Sequence, residues 1–257
     1  MQVFAIGDLH LSSSGEKPMD IFGPHWKDHG EKIAHSWRSS VQPEDLVLVP
    51  GDISWAMRLE EAREDLDWLD TLPGMKILIK GNHDYWWPGI GKLRALLKGS
   101  SIRVLQYDSV RIGSVVVGGT RMWTIPGMVI PGSDMLEPKH PSSKPCEPAP
   151  RADEREAEAQ DRRIFLRELG RLRLSLESMD KGGEVKIVMT HFPPTSENGP
   201  DTPVTSLLED YGVQICVFGH LHDLGLPPGT TIDFVKNGVR YVLVSADAVG
   251  FAPYKLF

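Results

Sequence analysis

Residues 75–84 read Met75-Lys76-Ile77-Leu78-Ile79-Lys80-Gly81-Asn82-His83-Asp84, an apolar run that stops at a glycine and gives way to an amide, an imidazole and a carboxylate. A short run rich in Ile and Leu has the pattern of a strand buried on both faces. In sheets of such strands, ligands gather beyond the carboxyl ends. The polar triplet therefore stands where chemistry is done and reads as the floor of a metal site. Three donors cannot enclose an ion alone, so the fold turns on whether other strands end in the same way.

Four others do. Residues 3–6 lead into Gly7-Asp8-Leu9-His10, and residues 46–49 into Pro50-Gly51-Asp52. Residues 186–189 lead into Thr190-His191, and residues 215–218 into Gly219-His220-Leu221-His222. Five strand ends that carry metal-competent side chains predict one site at the carboxyl edge of an α/β fold.

Helices are expected between these strands. Leu59, Ala62, Leu66 and Leu69 recur at helical steps among acids and an arginine, ending near Pro73-Gly74. Ile33 and Trp37 suggest another helix within residues 31–40, and Phe165, Leu169, Leu172, Leu176 and Met179 form one stripe along residues 153–179. Acids crowd the first turns of that long segment and arginines follow, an order that suits the helix dipole. Two hairpins are also expected. One joins residues 103–106 to 115–117, and the other joins 232–235 to 239–244 across Lys236-Asn237-Gly238, Asn-Gly being the strongest short hairpin signal. Antiparallel strands make the sheets mixed, and this many strands imply two stacked sheets with helices outside. Seven prolines within residues 126–150 exclude helix and strand there. Residues 1–257 are thus read as one domain with a Pro-rich loop insertion at about 124–152.

Composition limits the partners. The chain has 257 residues, near the upper length of a single layered domain at about 250. Its 28 basic and 35 acidic residues leave a net charge of −7, which offers nucleic acid or an anionic membrane no general attraction. Only two cysteines occur, Cys146 and Cys216, the second inside an apolar run, so a disulfide framework is not expected. No charged leader precedes an apolar stretch, and no run approaches the ~18 residues of a membrane span. The expectation is a soluble, cytoplasmic protein.

The candidate donors are Asp8, His10, Asp52, Asn82, His83, His191, His220 and His222. This nitrogen and oxygen mixture suits manganese, iron or zinc better than calcium or magnesium. Eight donors are too many for one ion. Two ions ~3.5–4 Å apart need one shared carboxylate between them, and Asp52 on the central strand is the natural bridge. His25 and His29, four apart, imitate a helical metal pair, but no acidic base accompanies them and Gly30 interrupts the turn.

Asp8-Leu9-His10, Gly51-Asp52, Gly81-Asn82-His83-Asp84, the lone His191 and Gly219-His220-Leu221-His222 resemble, in order, the five signatures of calcineurin-like metallophosphoesterases. The resemblance spans almost the whole chain. It implies a four-layer α/β/β/α sandwich with two mixed β-sheets and the metal site at the strand C-terminal ends. It also implies that Asp8, His10, Asp52 and His222 hold one divalent transition-metal ion, and that Asp52, Asn82, His191 and His220 hold a second. Tyr85-Trp86-Trp87 and Ser54-Trp55-Ala56 look like a bacterial branch of predicted phosphohydrolases. By the same resemblance His83 is the general acid, or a phosphate-positioning group. In serine/threonine phosphatases an aspartate three places after the bridging one orients that histidine; here Trp55 stands there, leaving Asp84 or another group to support His83.

The reaction implied is hydrolysis of a phosphomonoester or phosphodiester of a small metabolite or nucleotide, with hydroxide from a bound water attacking phosphorus in line. Trp55 and Trp86 are candidate walls for a base or sugar, and Arg58 and Arg121 are candidate phosphate partners. A nuclease with the same chemistry is opposed by the net acidity. A scaffold on a decayed enzyme fold should have lost ligands, and none is missing.

Overall fold

The computed structural model describes residues 1–13, 17–128, 152–179, 184–225, 227 and 230–257. Most of the Pro-rich insertion lies outside the described residues. The strand runs form two sheets. In the first, β1 (Val3–Ala5), β2 (Leu46–Val49), β3 (Met75–Leu78) and β4 (Ile102–Val104) lie parallel, and β11 (Tyr254–Lys255) pairs antiparallel with β1. The order is β11-β1-β2-β3-β4. The second sheet contains β5 (Ser109–Ile112), β6 (Val115–Thr120), β7 (Val185–Thr190), β8 (Ile215–Phe218), β9 (Asp233–Lys236) and β10 (Val239–Leu243), in the order β5-β6-β7-β8-β10-β9. Its inner four strands are parallel, and hairpins place β5 and β9 antiparallel at the edges.

Side-chain alternation explains the layering. Val115 and Val117 of β6, Ile187 and Met189 of β7, and Ile215 and Val217 of β8 belong to the core shared with the first sheet. The intervening Val116, Val188 and Cys216 face the other way, into a second core with Phe165, Leu172, Leu176, Leu207 and Leu208. Those residues come from the helices α4 (Ala152–Glu177) and α5 (Pro203–Asp210). On the far side, α1 (His29–Ser40), α2 (Leu59–Asp70) and α3 (Ile90–Leu96) cover the first sheet through Ile33, Trp37, Ala62, Leu66, Leu69 and Leu93. The result is the expected four-layer α/β/β/α sandwich. No helix among the described residues is long and apolar enough to cross a membrane.

One expected hairpin is mispaired. Residues 103–106 do not return against β6. Instead β4 continues the first sheet beside β3, with Arg103 outward between buried Ile102 and Val104. The true partner of β6 is β5, joined through Gly113-Ser114 with Gly113 at φ 60°. The Asn237-Gly238 hairpin forms as expected, with φ 49° and 82°, the doubly positive geometry that matches strand twist. Helices α3 and α5 are additions to the sequence reading. α5 begins at a capping box in which Thr202 and Thr205 exchange side-chain to backbone bonds, with Pro203 in its first turn.

Candidate metal centre

The loop after β1 is tied to both sheets. Gly7 donates to Val244 O at 2.7 Å, Asp8 N–H to Gly51 O and His10 N–H to Asp52 O, each at 3.0 Å. The turns needed are sharp: Asp8, His10, Asp52 and His220 have φ of 54°, 45°, 52° and 72°. A left-handed non-glycine residue costs of order 1–3 kcal/mol, and such strain concentrates at functional sites. Gly81 and Gly219 are required by close approach, because a Cβ at either would collide with the carboxylate of Asp52 or Asp8.

Side chains from both sheets then converge. The Nε2 atoms of His10 and His222 are 3.4 Å apart, and Asp8 Oδ1 is 3.6 Å from His222 Nε2. Asp52 Oδ2 lies 3.9 Å from His10 Nε2 and 3.5 Å from His191 Nε2, so it faces one imidazole from each sheet. Among the described residues two buried groups have ligand atoms within 4.8 Å of one another, Asp8, His10 and His222, and Asp8, Asp52 and His191, while a third and more exposed group joins His25, Asp223 and Asp247. Asn82 Oδ1 sits 2.5 Å from His191 Nε2. His220 donates its backbone N–H to both Asp8 oxygens at 3.1 Å, and its ring packs at 5.1 Å from His191 and 4.1 Å from Phe192.

Ring orientation is set by neighbours. His191 donates Nδ1–H to Pro50 O at 3.0 Å, and His222 donates Nδ1–H to Asp247 Oδ1 at 2.8 Å. Both interactions aim Nε2 into the site, the usual arrangement around metal-ligating histidines. Asp247 also accepts Asp223 N–H at 2.9 Å. Trp26 closes the same side, its ring 6.0 Å from His10 and 5.7 Å from His222. Sequence reasoning did not find Asp247.

The electrostatics fit a bound cation. Burial, then the neighbouring Asp84 and Asp8, push the Asp52 carboxyl well above its ordinary range. Burial pulls His191 down to about 4, and drives His10 and His220 well below the usual imidazole value. Burial acts downward on His222 too, but Asp247 and Asp8 overcome it and raise the group to about 10. Two buried carboxylates, Asp8 and Asp52, face three imidazoles that burial holds neutral and a charged His222 that is shared with Asp247, so the donor set lacks full charge compensation. Divalent metal would supply that charge and displace the His222 proton.

Asp84 has another role than the one expected. Its oxygens accept N–H groups of Asp52 at 2.9 Å, Ile53 at 2.9 Å, Ser54 at 3.2 Å and Gly81 at 2.8 Å, and the Trp86 indole N–H at 3.0 Å. It clamps the Asp52 loop to the Gly81 loop and has nothing left for His83. Burial still raises its carboxyl to about 6 against these bonds. His83 donates its backbone N–H to Asp52 Oδ1 at 2.9 Å, while its Nδ1 is buried without a partner. Its ring rests 4.5 Å from Trp55, and burial followed by the His191 charge lowers it to about 4.

The expected substrate residues separate. Trp55 is half-buried and stacks on His10 at 4.9 Å, so it lines the site. Trp86 is buried in the core and serves Asp84, which removes it as a substrate wall. Arg58 is exposed at the start of α2, where its N–H is capped by Glu61, and among the described residues no hydrogen bond or ion pair joins it to the candidate ligands. Arg121 is close: its carbonyl accepts the His191 and Phe192 N–H groups at 3.0 Å. His25 pairs with exposed Asp223 at 3.2 Å and His29 Nε2 reaches His10 O at 3.2 Å, so they form no metal pair together.

The fold and this cluster define an α/β-sandwich protein built around a metal-binding edge. Residues 1–224 match the calcineurin-like phosphoesterase family, and the chain belongs to it. It is 37% identical over 83 residues to the Gene 66 protein of Mycobacterium phage D29, and 32% identical over 77 residues to that of Mycobacterium phage L5. These matches cover 32% and 30% of this chain and only 40% and 37% of the phage proteins. Its fold is similar to the crystal structure of a phosphopantetheinyl hydrolase from Mycobacterium tuberculosis, with a TM-score of 0.53 at 19% identity, covering 95% of this chain and 88% of that one.

Proposed function

We propose that the protein is a two-metal phosphoesterase acting on a small phosphorylated metabolite or nucleotide. The observation that carries this reading is the buried convergence of Asp8, His10, Asp52, His191 and His222 from both sheets. Asp8, His10, Asp52 and His222 would hold one ion of the manganese, iron or zinc type, and Asp52, Asn82, His191 and His220 the other. Asp8 is near both groups, but Asp52 keeps the bridging role because one of its oxygens faces both His10 and His191. Such a pair, when bound, polarises phosphoryl oxygens and yields a nucleophile from water at neutral pH.

The chain's own residues supply the rest. Asp247 and Pro50 hold the rings of His222 and His191 with Nε2 inward. His83, beside a ligand yet not one itself, would serve the leaving oxygen with a proton once the negative charge of a bound phosphate raises the ring from the value of about 4 that burial sets, its ring braced by Trp55. Trp55 and Trp26 exclude water from the His10 side. Arg121 neutralises charge on the bound phosphate. Metal analysis and turnover of 4-nitrophenyl phosphate against bis(4-nitrophenyl) phosphate test the reading. About two transition metals per chain and hydrolysis of one ester are expected. Folded protein that takes up no metal after reconstitution sinks it.

A further inference from the structure

The outer face of α4 carries features that one chain alone does not use. Phe165, Leu172 and Leu176 turn one side of this helix onto the second sheet. On the opposite side Leu166 and Leu174 are 55% and 53% exposed. Gly170 lies midway between them, four residues from each, while Arg163 and Glu177 lie seven residues before and after it. At ~100° per residue these five positions fall within a sector roughly 80° wide, and all are exposed. Single exposed leucines are ordinary on a protein surface. Two on one stripe, with a glycine between them, ask for a partner.

The glycine is the sharper sign. Inside a helix it weakens the element relative to alanine. A Cβ at Gly170 would meet nothing within 4 Å, and its φ is not positive, so neither the packing nor the backbone of one chain requires it. What glycine offers there is a flat patch that another helix can approach closely. The sequence around it is also self-complementary. When two α4 helices run antiparallel about a two-fold axis at Gly170, residues equally far before and after it face one another. Leu166 then meets Leu174 of the second copy, Arg163 meets its Glu177, and the symmetry makes each contact twice. Arg163 has no hydrogen bond or ion pair among the described residues, and Glu177 accepts only a 3.4 Å bond from the Tyr211 hydroxyl. A parallel pair would set Arg163 against Arg163 and Glu177 against Glu177, so charge selects the antiparallel form. Arg167 and Arg173 flank the stripe and oppose one another in this pairing, but Arg167 is drawn back toward Glu168 at 3.5 Å.

We propose that the outer face of α4 is a homodimer interface, in which two copies of this chain cross antiparallel at Gly170 with their leucines packed between two Arg163–Glu177 ion pairs. One helix pair covers less than the roughly 1,200 Å² of a stable interface, so the dimer is reversible, with a Kd of about 10–100 µM. The inference is independent of the phosphoesterase reading. Helix α4 covers a face of the second sheet, whereas the candidate metal centre lies at the carboxyl edge of both sheets.

Sedimentation equilibrium of the full chain from about 1 to about 500 µM tests the pairing, and wild type should pass from monomer to dimer within that range. The double variant Leu166→Ser, Leu174→Ser should stay monomeric throughout, and because both side chains are exposed its unfolding midpoint in dilute solution should hold. Gly170→Gln should raise that midpoint yet weaken association by about tenfold or more, which separates pairing from folding. Arg163→Glu and Glu177→Arg should each weaken association by about tenfold, since each disrupts both copies of the ion pair, and the two changes in one chain should restore it. A wild type that remains monomeric at every concentration overturns the interface. So does a dimer that survives the loss of both leucines, or a charge reversal that the double variant fails to rescue.

Discussion

At Asp52 one carboxylate faces an imidazole from each sheet, so changing its charge while keeping its shape isolates the bridging role. Asp52→Asn should lose bound metal and turnover together, measured by metal analysis and ester hydrolysis. His83→Ala should keep the metals and slow turnover by roughly 10²–10⁴-fold, the usual worth of a positioned proton donor; unchanged turnover would remove His83 from the mechanism. Asp247 acts through another residue. Asp247→Ala frees the His222 ring and should weaken metal affinity by about 10–100-fold in a titration that needs no substrate. The contrast between Asp52 and Asp247 shows what was legible in the chain. Asp8, Asp52 and the five candidate histidine and asparagine ligands beyond them follow apolar runs, so strand periodicity alone places them at sheet edges. Asp247 sits in Ser245-Ala246-Asp247-Ala248 and meets His222 only because β10 lies beside β8. Asp84 misled for the opposite reason: adjacency to His83 suggested support, while its carboxylate turns away to the backbone of residues 52–54.

Elements were read well where one face is strongly apolar and poorly where pairing is decided by distance. The stripe of α4 is visible as a period, and Phe165, Leu172 and Leu176 bury against the second sheet as it requires. Whether β4 joins β3 or β6 is not written in Ile102-Arg103-Val104, because either neighbour satisfies its alternation. The Gly113-Ser114 turn settles the matter by giving β6 a nearer partner. Lys76 illustrates an element-level cost that periodicity hides. It is buried on β3, donates to the Leu72 carbonyl after α2 and to Ser101 Oγ at 2.9 Å, and burial lowers it to about 8 against a partial offset from Asp70. Its folded value lies below the unfolded one of 10.5, so between pH 8 and 10.5 the unfolded chain holds the extra proton. The contribution of Lys76 to stability therefore rises with pH across that window, by up to roughly 3 kcal/mol. Denaturant unfolding of wild type and Lys76→Met at pH 7.5 and pH 10 checks this. The difference between the two proteins cancels groups such as Cys216, raised by burial to about 12, that act in the opposite direction. Parallel pH profiles would show that Lys76 is not held in its buried form.

The whole molecule is two sheets whose cores are apolar and whose shared carboxyl edge is not. Asp8, His10, Asp52 and Asn82 come from the first sheet's loops, and His191, His220 and His222 from the second's, so a metal pair would cross-link the layers at the edge where apolar packing ends. The bonds already spanning that edge, Gly7 to Val244 O and His220 N–H to Asp8, join backbone and carboxylate without neutralising the buried acids. Metal should therefore act on global stability as well as on chemistry. A site that exists only when both sheets are docked binds the native state alone, and free metal at 100 times Kd stabilises by about 2.7 kcal/mol per site. Added manganese or zinc should raise the unfolding midpoint of chelator-treated wild type by about 5–10 °C for each such increment at this chain length. Asp52→Asn should show a much smaller rise, and Asp247→Ala should need higher metal concentration to reach the same rise. Equal metal-induced shifts in wild type and Asp52→Asn would mean that the stabilising ions bind elsewhere, and the edge between the sheets would then not be the metal centre.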